Sequence, residues 1–259
     1  LNRRDEFLYT LLVPDRARTL FPCFDQPDIK ARYSLELIIP ETWKAVANGK
    51  IAGVDSLSHP GRHVVTFQET EPLPTYLFSF VAGKLQQETY SRENRSISIY
   101  HRETDPARKG QCPEIARQVL DALDWMEAYT GVPYPFAKYD LVILPGFQYG
   151  GMEHTGATLY NDQSMFLNEE PTLDEQLRRS TLIAHETAHM WFGDYVTMKW
   201  FNDVWTKEVF ANYFAIRIVE PTYPTINHRL NFVRGYIPAS YAEDRTDGAT
   251  PIQQTLDNL

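Results

Sequence analysis

The sequence predicts an α+β protein in which an antiparallel β region precedes a mixed region that becomes helical toward its end. Short alternating or β-branched runs lie between Tyr33 and His101, and turn-forming groups such as Asn48-Gly49 separate them. Apolar residues at helical spacing begin near residue 113, and longer helical segments follow from about residue 172. This change of pattern places the boundary between the two regions near residue 90.

The first helix of the mixed region is predicted to start at Pro113 and to stop at Gly131 and Pro133. A strand in KYDLVILP and a glycine-rich stretch, FQYGGMEHTGATLYN, come next. Thr172 and Glu175 form a capping box ahead of a long helix.

Two more helices are predicted near the end of the chain. One runs from about Asn202 or Asp203 to Val219, and the other spans Thr225 to Tyr241. The apolar spacing on the first of these helices predicts a buried stripe, made of Trp205, Val209, Tyr213 and Ile216.

Composition limits the classes of partner. The 259 residues carry 25 Lys and Arg against 34 Asp and Glu, a net charge of -9 that disfavours binding to nucleic acid. The sequence contains no run of eighteen apolar residues, so we expect a soluble chain with no membrane span. The compartment stays open between cytoplasm and periplasm, because a signal segment would precede Leu1.

The segment His185-Glu186-Thr187-Ala188-His189 lies inside the long helix and predicts a metal site. Histidines at i and i+4 face the same side of a helix, one turn apart, where both imidazoles can bind one ion. Two helix histidines beside a solvated glutamate are the alternative, and a third ligand decides against it.

Glu208 is the candidate for that third ligand, on the next predicted helix. Two imidazoles and a carboxylate leave one position of a single Zn²⁺ ion open for water, and Glu186 is placed to act as general base. Asn212, one turn after Glu208, could orient a ligand histidine by a hydrogen bond or cap nearby backbone. The chemistry predicted is hydrolysis of a polarised carbonyl.

Longer segments carry a family resemblance. The block HMWFGDYVTMKWFNDVWTKEVFANYFA, the motif Gly150-Gly151-Met152-Glu153-His154, and the segments ARTLFPCFDQPDIKARYSLELIIP and GVPYPFAKYDLVILPGF stand in the expected order. Together they resemble the gluzincin zinc aminopeptidases of the aminopeptidase N and leukotriene hydrolase type, over essentially the whole chain.

The resemblance implies a saddle-like β domain over residues 1–90, lacking its first strands, and the N-terminal portion of a thermolysin-like catalytic domain over residues 91–259. It also implies that Glu153 binds the free α-amino group of a peptide and that the backbone of Gly150, Gly151, Met152 and His154 pairs with it. The expected partner is therefore a peptide with a free N-terminal amine. The family motif usually ends in Asn, where this chain has His154, and frequently has Ala in place of Gly151.

The resemblance further implies a tyrosine that donates a hydrogen bond to the oxyanion of the reaction, at a position beyond Leu259. Tyr236 and Tyr241 stand too close to Glu208 in sequence for that role. Loss of one such donor lowers the rate by about two to three powers of ten. We therefore expect residues 1–259 alone to bind zinc and to turn over slowly.

Three alternatives stay open at this point. The same zinc site could serve an endopeptidase, or it could serve an epoxide hydrolase. A binding module without catalysis is the third, but such a module has no physical reason to keep Glu186 beside an open zinc position.

Overall fold

Strands dominate the first half of the molecule and helices the second, within residues 6–56, 59–249 and 251–252, which the computed structural model describes. The strands are β1 Phe7–Tyr9, β2 Glu36–Pro40, β3 Lys44–Ala47, β4 Ile51–Asp55, β5 Arg62–Phe67, β6 Phe80–Gly83, β7 Gln86–Arg92, β8 Arg95–His101, β9 Leu141–Leu144, β10 Gly151–Met152 and β11 Thr158–Asn161. The helices are α1 Pro106–Lys109, α2 Cys112–Thr130, α3 Asp162–Met165, α4 Leu173–His189, α5 Val204–Val219 and α6 His228–Asp244.

The strands form three sheets, and the α+β prediction is confirmed. Two three-stranded antiparallel sheets, in the orders β1-β6-β3 and β2-β5-β4, make up the N-terminal region. The third sheet has the order β10-β11-β9-β8-β7 and is mixed, because β9 pairs in parallel with both β8 and β11. Residue 90 lies within β7, so the predicted domain boundary crosses this sheet, and the division stays a prediction.

The five-stranded sheet is buried on both faces, and alternate residues of a strand serve opposite faces. Leu141 and Ile143 of β9 pack with the helices in one core, whereas Val142 and Leu144 pack against the N-terminal sheet in another. This sheet therefore connects the N-terminal region to the helices.

Local signals fix the end of α2 and the start of α4 as predicted, whereas α6 spans His228–Asp244 instead of the predicted Thr225 to Tyr241. Helix α2 ends at Gly131, whose φ of 68° is the left-handed conformation that a glycine adopts without strain. The Oγ1 of Thr172 accepts the N–H of Glu175 at 3.3 Å, and the Glu175 carboxylate accepts the N–H of Thr172 at 2.8 Å. This capping box starts α4, the helix that carries both site histidines.

The predicted buried stripe of α5 is wrong. Of the four predicted residues, Trp205, Val209 and Tyr213 are exposed and Ile216 is half-buried. The buried residues of α5 are Lys207, Ala211, Phe214, Ala215, Ile218 and Val219. Helix α5 has apolar residues on most of its sides, so apolar spacing alone does not distinguish its faces. The small side chains of Ala211 and Ala215 are fully buried in the core that α5 shares with α4, which allows the two helices to approach closely.

Asn48 links the N-terminal region to the glycine-rich stretch. Its buried Nδ2 donates to the carbonyl oxygens of Leu77 and Thr155, both at 2.9 Å, and its Oδ1 accepts the N–H of Ser79 at 2.7 Å. Thr155 follows the Glu153-His154 segment directly, so this one amide connects the N-terminal sheets to a wall of the candidate site.

No helix in the part of the chain that the structure describes is long and apolar enough to cross a membrane. The charged start of the chain, residues 1–5, and most of the closing segment PIQQTLDNL lie outside the described residues.

We expect Asn48→Ala to lower the free energy of unfolding by about 2–4 kcal/mol, because it leaves three buried backbone groups without their partner. The measurement is chemical denaturation followed by circular dichroism. Asn168→Ala, at an exposed position, is the control and should change stability by less than about 0.5 kcal/mol. A similar small change in both variants would contradict the linking role of Asn48.

Candidate functional site

Helices α4 and α5 bring three electron-pair donors to one point. The Nε2 atoms of His185 and His189 are 3.0 Å apart, and the Oε2 of Glu208 lies 3.4 Å from the first and 3.6 Å from the second. These separations bracket the roughly 3.3 Å between two ligands of a tetrahedral zinc ion with bonds of about 2.0–2.1 Å. The structure therefore brings together the three side chains predicted to bind the metal.

The hydrogen bonds of His189 favour the form that binds a metal. Its Nδ1 lies 3.1 Å from the carbonyl oxygen of Phe192, which accepts only, so Nδ1 carries the proton and Nε2 keeps a free lone pair. Burial alone would raise the pKa of Glu208, but the neighbouring histidine rings and the charge of Lys207 outweigh it and hold the pKa far below its usual range. Two imidazoles and an ionised carboxylate are the donor set that suits zinc.

Glu186 lies beside these donors and beside the edge strand β10. Its carboxylate packs so closely on Gly151 that a Cβ atom at residue 151 would overlap it. Burial raises the pKa of Glu186 to about 8, although the charge of His185 opposes the shift. A carboxylate that holds its proton more strongly than usual is suited to accept one from water.

Strand β10 is the edge of the five-stranded sheet. Its Gly151 and Met152 pair with Tyr160 and Leu159 of β11, and on its other side it has no neighbouring strand among the described residues. An open sheet edge can bind an extended peptide through backbone hydrogen bonds. Gly150, Gly151 and Met152 line the same cavity as the histidines, which has a volume of about 500 Å³.

Glu153 also lines this cavity, but the ammonium of Lys207 lies against its carboxylate. The Nζ of Lys207 is 2.5 Å from Oε1 of Glu153 and 2.9 Å from Oε1 of Glu208. Burial alone would raise the pKa of Glu153, but the charge of Lys207 outweighs it and lowers the pKa to about 2. Lys207 is not among the site residues predicted from the sequence, because adjacent residues of a helix point in directions about 100° apart.

Asn212 lines the cavity as well, and its amide oxygen accepts a hydrogen bond from the hydroxyl of Tyr236 at 3.2 Å. The bond that Asn212 makes is therefore with a residue of α6, and its role in orienting a ligand histidine stays a prediction.

His154 does not line the cavity surface and is fully buried. Neither of its ring nitrogens has a hydrogen-bond partner among the described residues. Burial lowers the pKa of His154 to about 4, although the neighbouring Glu153 opposes the shift. The ring is therefore neutral at pH 7.

A second group of side chains that could bind a metal, Glu88, His101 and Cys112, lies outside this site. Here Nδ1 of His101 accepts the N–H of Glu103 at 3.2 Å, so the proton is on Nε2, which lies 3.3 Å from Oε1 of Glu88. Burial raises the pKa of the Cys112 thiol to about 12, which disfavours the thiolate that a metal needs. The hydrogen bonding of this group is that of a closed internal network.

The chain matches two family models that describe parts of one kind of peptidase. Residues 2–77 match the model of the Peptidase M1 N-terminal domain, and residues 116–259 match that of the Peptidase family M1 domain. The chain is 31% identical over 244 residues to the puromycin-sensitive aminopeptidase of Caenorhabditis elegans, covering 93% of this chain and 25% of that protein. It is 31% identical to aminopeptidase N of Streptomyces lividans, over 98% of this chain and 29% of that protein. It is 30% identical to aminopeptidase Q of Mus musculus, over 96% of this chain and 45% of that protein. The chain thus spans less than half the length of these relatives.

We expect stability to fall between pH 6.5 and pH 4, in part because of His154. An unfolded histidine takes up a proton near pH 6.5, whereas the buried ring does so only near pH 4. The contribution of His154 to the free energy of unfolding is therefore complete above pH 6.5. It decreases as the pH falls, and the loss reaches about 3 kcal/mol at pH 4.

The measurement compares wild type with His154→Asn, each unfolded by urea in the presence of a chelator at pH values from 4 to 8. The stability difference between the two proteins should change between pH 6.5 and pH 4 and stay constant between pH 7 and pH 8, which is the internal control. Parallel pH profiles over the whole range would contradict the prediction.

Proposed function

The chain belongs to peptidase family M1, and from this premise we propose that it carries the metal-binding and amine-binding part of a zinc aminopeptidase. The observation that carries the proposal is the triangle of donor atoms from His185, His189 and Glu208. The family is zinc-dependent in general, and relatives named as aminopeptidases support the activity. We also propose that residues 1–90 form the saddle-like domain and residues 91–259 a thermolysin-like one.

The chemistry proposed is hydrolysis of the first peptide bond of a substrate. A zinc ion held by the three side chains would polarise the scissile carbonyl and make a water at its open position more acidic. Glu186 accepts a proton from the attacking water and returns it to the nitrogen of the leaving amine as the C–N bond breaks. Its burial and its place beside the donor atoms support this role.

We assign recognition of the substrate's amino terminus to Glu153. A carboxylate in the same cavity attracts a protonated α-amine, and an amine held there leaves room for one residue before the scissile bond. The open edge of β10 supplies backbone groups that can pair with that residue. The substrate class is therefore a peptide with a free amino terminus.

We expect Glu186→Gln to lower kcat by about two to four powers of ten, because it removes the general base without changing the size of the side chain. Zinc content, measured by elemental analysis, should stay that of wild type. The matched control is Glu170→Gln at an exposed position, with the wild-type rate. A rate unaffected by Glu186→Gln would favour a binding module that does not use the site for catalysis.

We expect a peptide amide whose α-amine is acetylated to resist cleavage, whereas the same peptide with a free amine is cleaved. Glu153→Gln should raise the KM of the free-amine peptide by about 10- to 100-fold, the value of one charge-assisted hydrogen bond. The assay follows release of a chromogenic amine, with and without a chelator. Cleavage of both peptides at similar rates would favour an endopeptidase. The same assay on residues 1–259 tests their predicted slow turnover.

A further inference from the structure

Lys207 is the one cation within hydrogen-bond distance of the candidate site's carboxylates in the described part of the chain, and the proposed function assigns it no role. Its side chain is only 6% exposed. The Nζ atom contacts Glu153 and Glu208 at once, and it lies 5.7 Å from the centre of the Tyr76 ring. Gly193 leaves room for it, because a Cβ at that residue would lie 3.3 Å from Cδ of Lys207.

The two oxygens of Glu208 have different partners. Oε2 faces the histidines at 3.4 and 3.6 Å, whereas Oε1 is 2.9 Å from the Lys207 ammonium. A carboxylate with two free oxygens can bind an ion through both of them, which would fill the position that water needs. The ammonium holds one oxygen away from the metal position and leaves the other to it.

The positive charge of Lys207 also compensates the negative charges of the carboxylates around it, Glu153 and Glu208. Glu153, Glu186 and His189 form a third group of possible metal ligands, which shares His189 with the proposed zinc site. The Nζ of Lys207 lies 2.5 Å from Oε1 of Glu153, and this ion pair makes that carboxylate a weaker ligand for a divalent ion. The three ligand atoms that stay available to a divalent ion are therefore those of His185, His189 and Glu208.

We propose that Lys207 is a positioning residue that fixes Glu208 for binding a metal through Oε2 alone, by a hydrogen bond to Oε1, and that holds Glu153 at the same time. The inference rests on the proposed zinc function and deepens it. Lys207 thereby contributes to metal affinity, a role that neither the motif spacing nor the charge composition of the sequence indicates.

The test measures zinc affinity by competition with a chromophoric chelator in the wild-type protein and in Lys207→Met. Loss of a hydrogen-bond partner of a ligand lowers metal affinity by about 10- to 100-fold, and that is the expected change. The matched control is Lys138→Met, which removes a half-buried lysine outside the cavity and should keep the wild-type affinity. The Nζ of Lys138 pairs with Oδ2 of Asp140 at 2.9 Å.

A second variant separates the two contacts of Lys207 and guards against misfolding. Lys207→Met alone leaves the buried Glu153 carboxylate unpaired, which destabilises a protein strongly. The double variant Glu153→Gln, Lys207→Met removes both charges, and it should still show the 10- to 100-fold loss because Oε1 of Glu208 has no partner. Lys207→Arg, which restores a donor, should recover part of the affinity.

The visible absorption of the Co²⁺ form gives a readout that a purely structural role would not change. If Glu208 binds through both oxygens in the double variant, the spectrum should change from that of four-coordinate Co²⁺ to that of a higher coordination number. Wild-type affinity and an unchanged spectrum in the double variant would overturn the proposal. Failure of the wild-type protein to bind zinc would instead overturn the proposed function itself.

Discussion

The packing of α4 against α5 is the constraint on which the candidate site depends. Three atoms that each offer a lone pair are held within 3.6 Å of one another, an arrangement that repels unless a cation lies among them. Ala184, Ala188, Ala211 and Ala215 are at most 1% exposed in the core of these helices. Small side chains allow the close approach of the helices, and the close approach places Glu208 against the histidines.

The N-terminal sheets take part in the site and do not only precede it. The Asn48 amide holds Thr155, and the hydroxyl of Tyr76 donates to the carbonyl oxygen of Gly193 at 3.3 Å. The Tyr76 ring also lies against Lys207 and contacts Phe201 in the connection between α4 and α5. Two walls of the cavity therefore depend on residues before Gln86, so the proposed metal ligands and the proposed amine-binding carboxylate are aligned across both regions.

The sequence predicted the features that local patterns determine. The histidines one turn apart, the capping box of Thr172 and the end of α2 at Gly131 each follow from spacing within a few residues. The buried face of α5 was predicted wrongly because its apolar residues surround the helix, and only packing against α4 selects Ala211 and Ala215. Lys207 was missed for a related reason. Residues i and i+1 diverge by about 100° on a helix, so a neighbour of Glu208 is not expected to reach the same site, yet the long lysine side chain does.

The contact between Glu186 and Gly151 explains why a glycine suits position 151, next to the proposed general base. Glu186 lies beside the proposed metal ligands of its own helix and also beside the edge strand that we propose to bind the peptide. A Cβ on residue 151 would take the space that the carboxylate fills, so glycine at this position allows Glu186 to pack directly against the backbone of β10. The packing of β10 on α4 at this wall of the cavity therefore depends on residues 151 and 186 together.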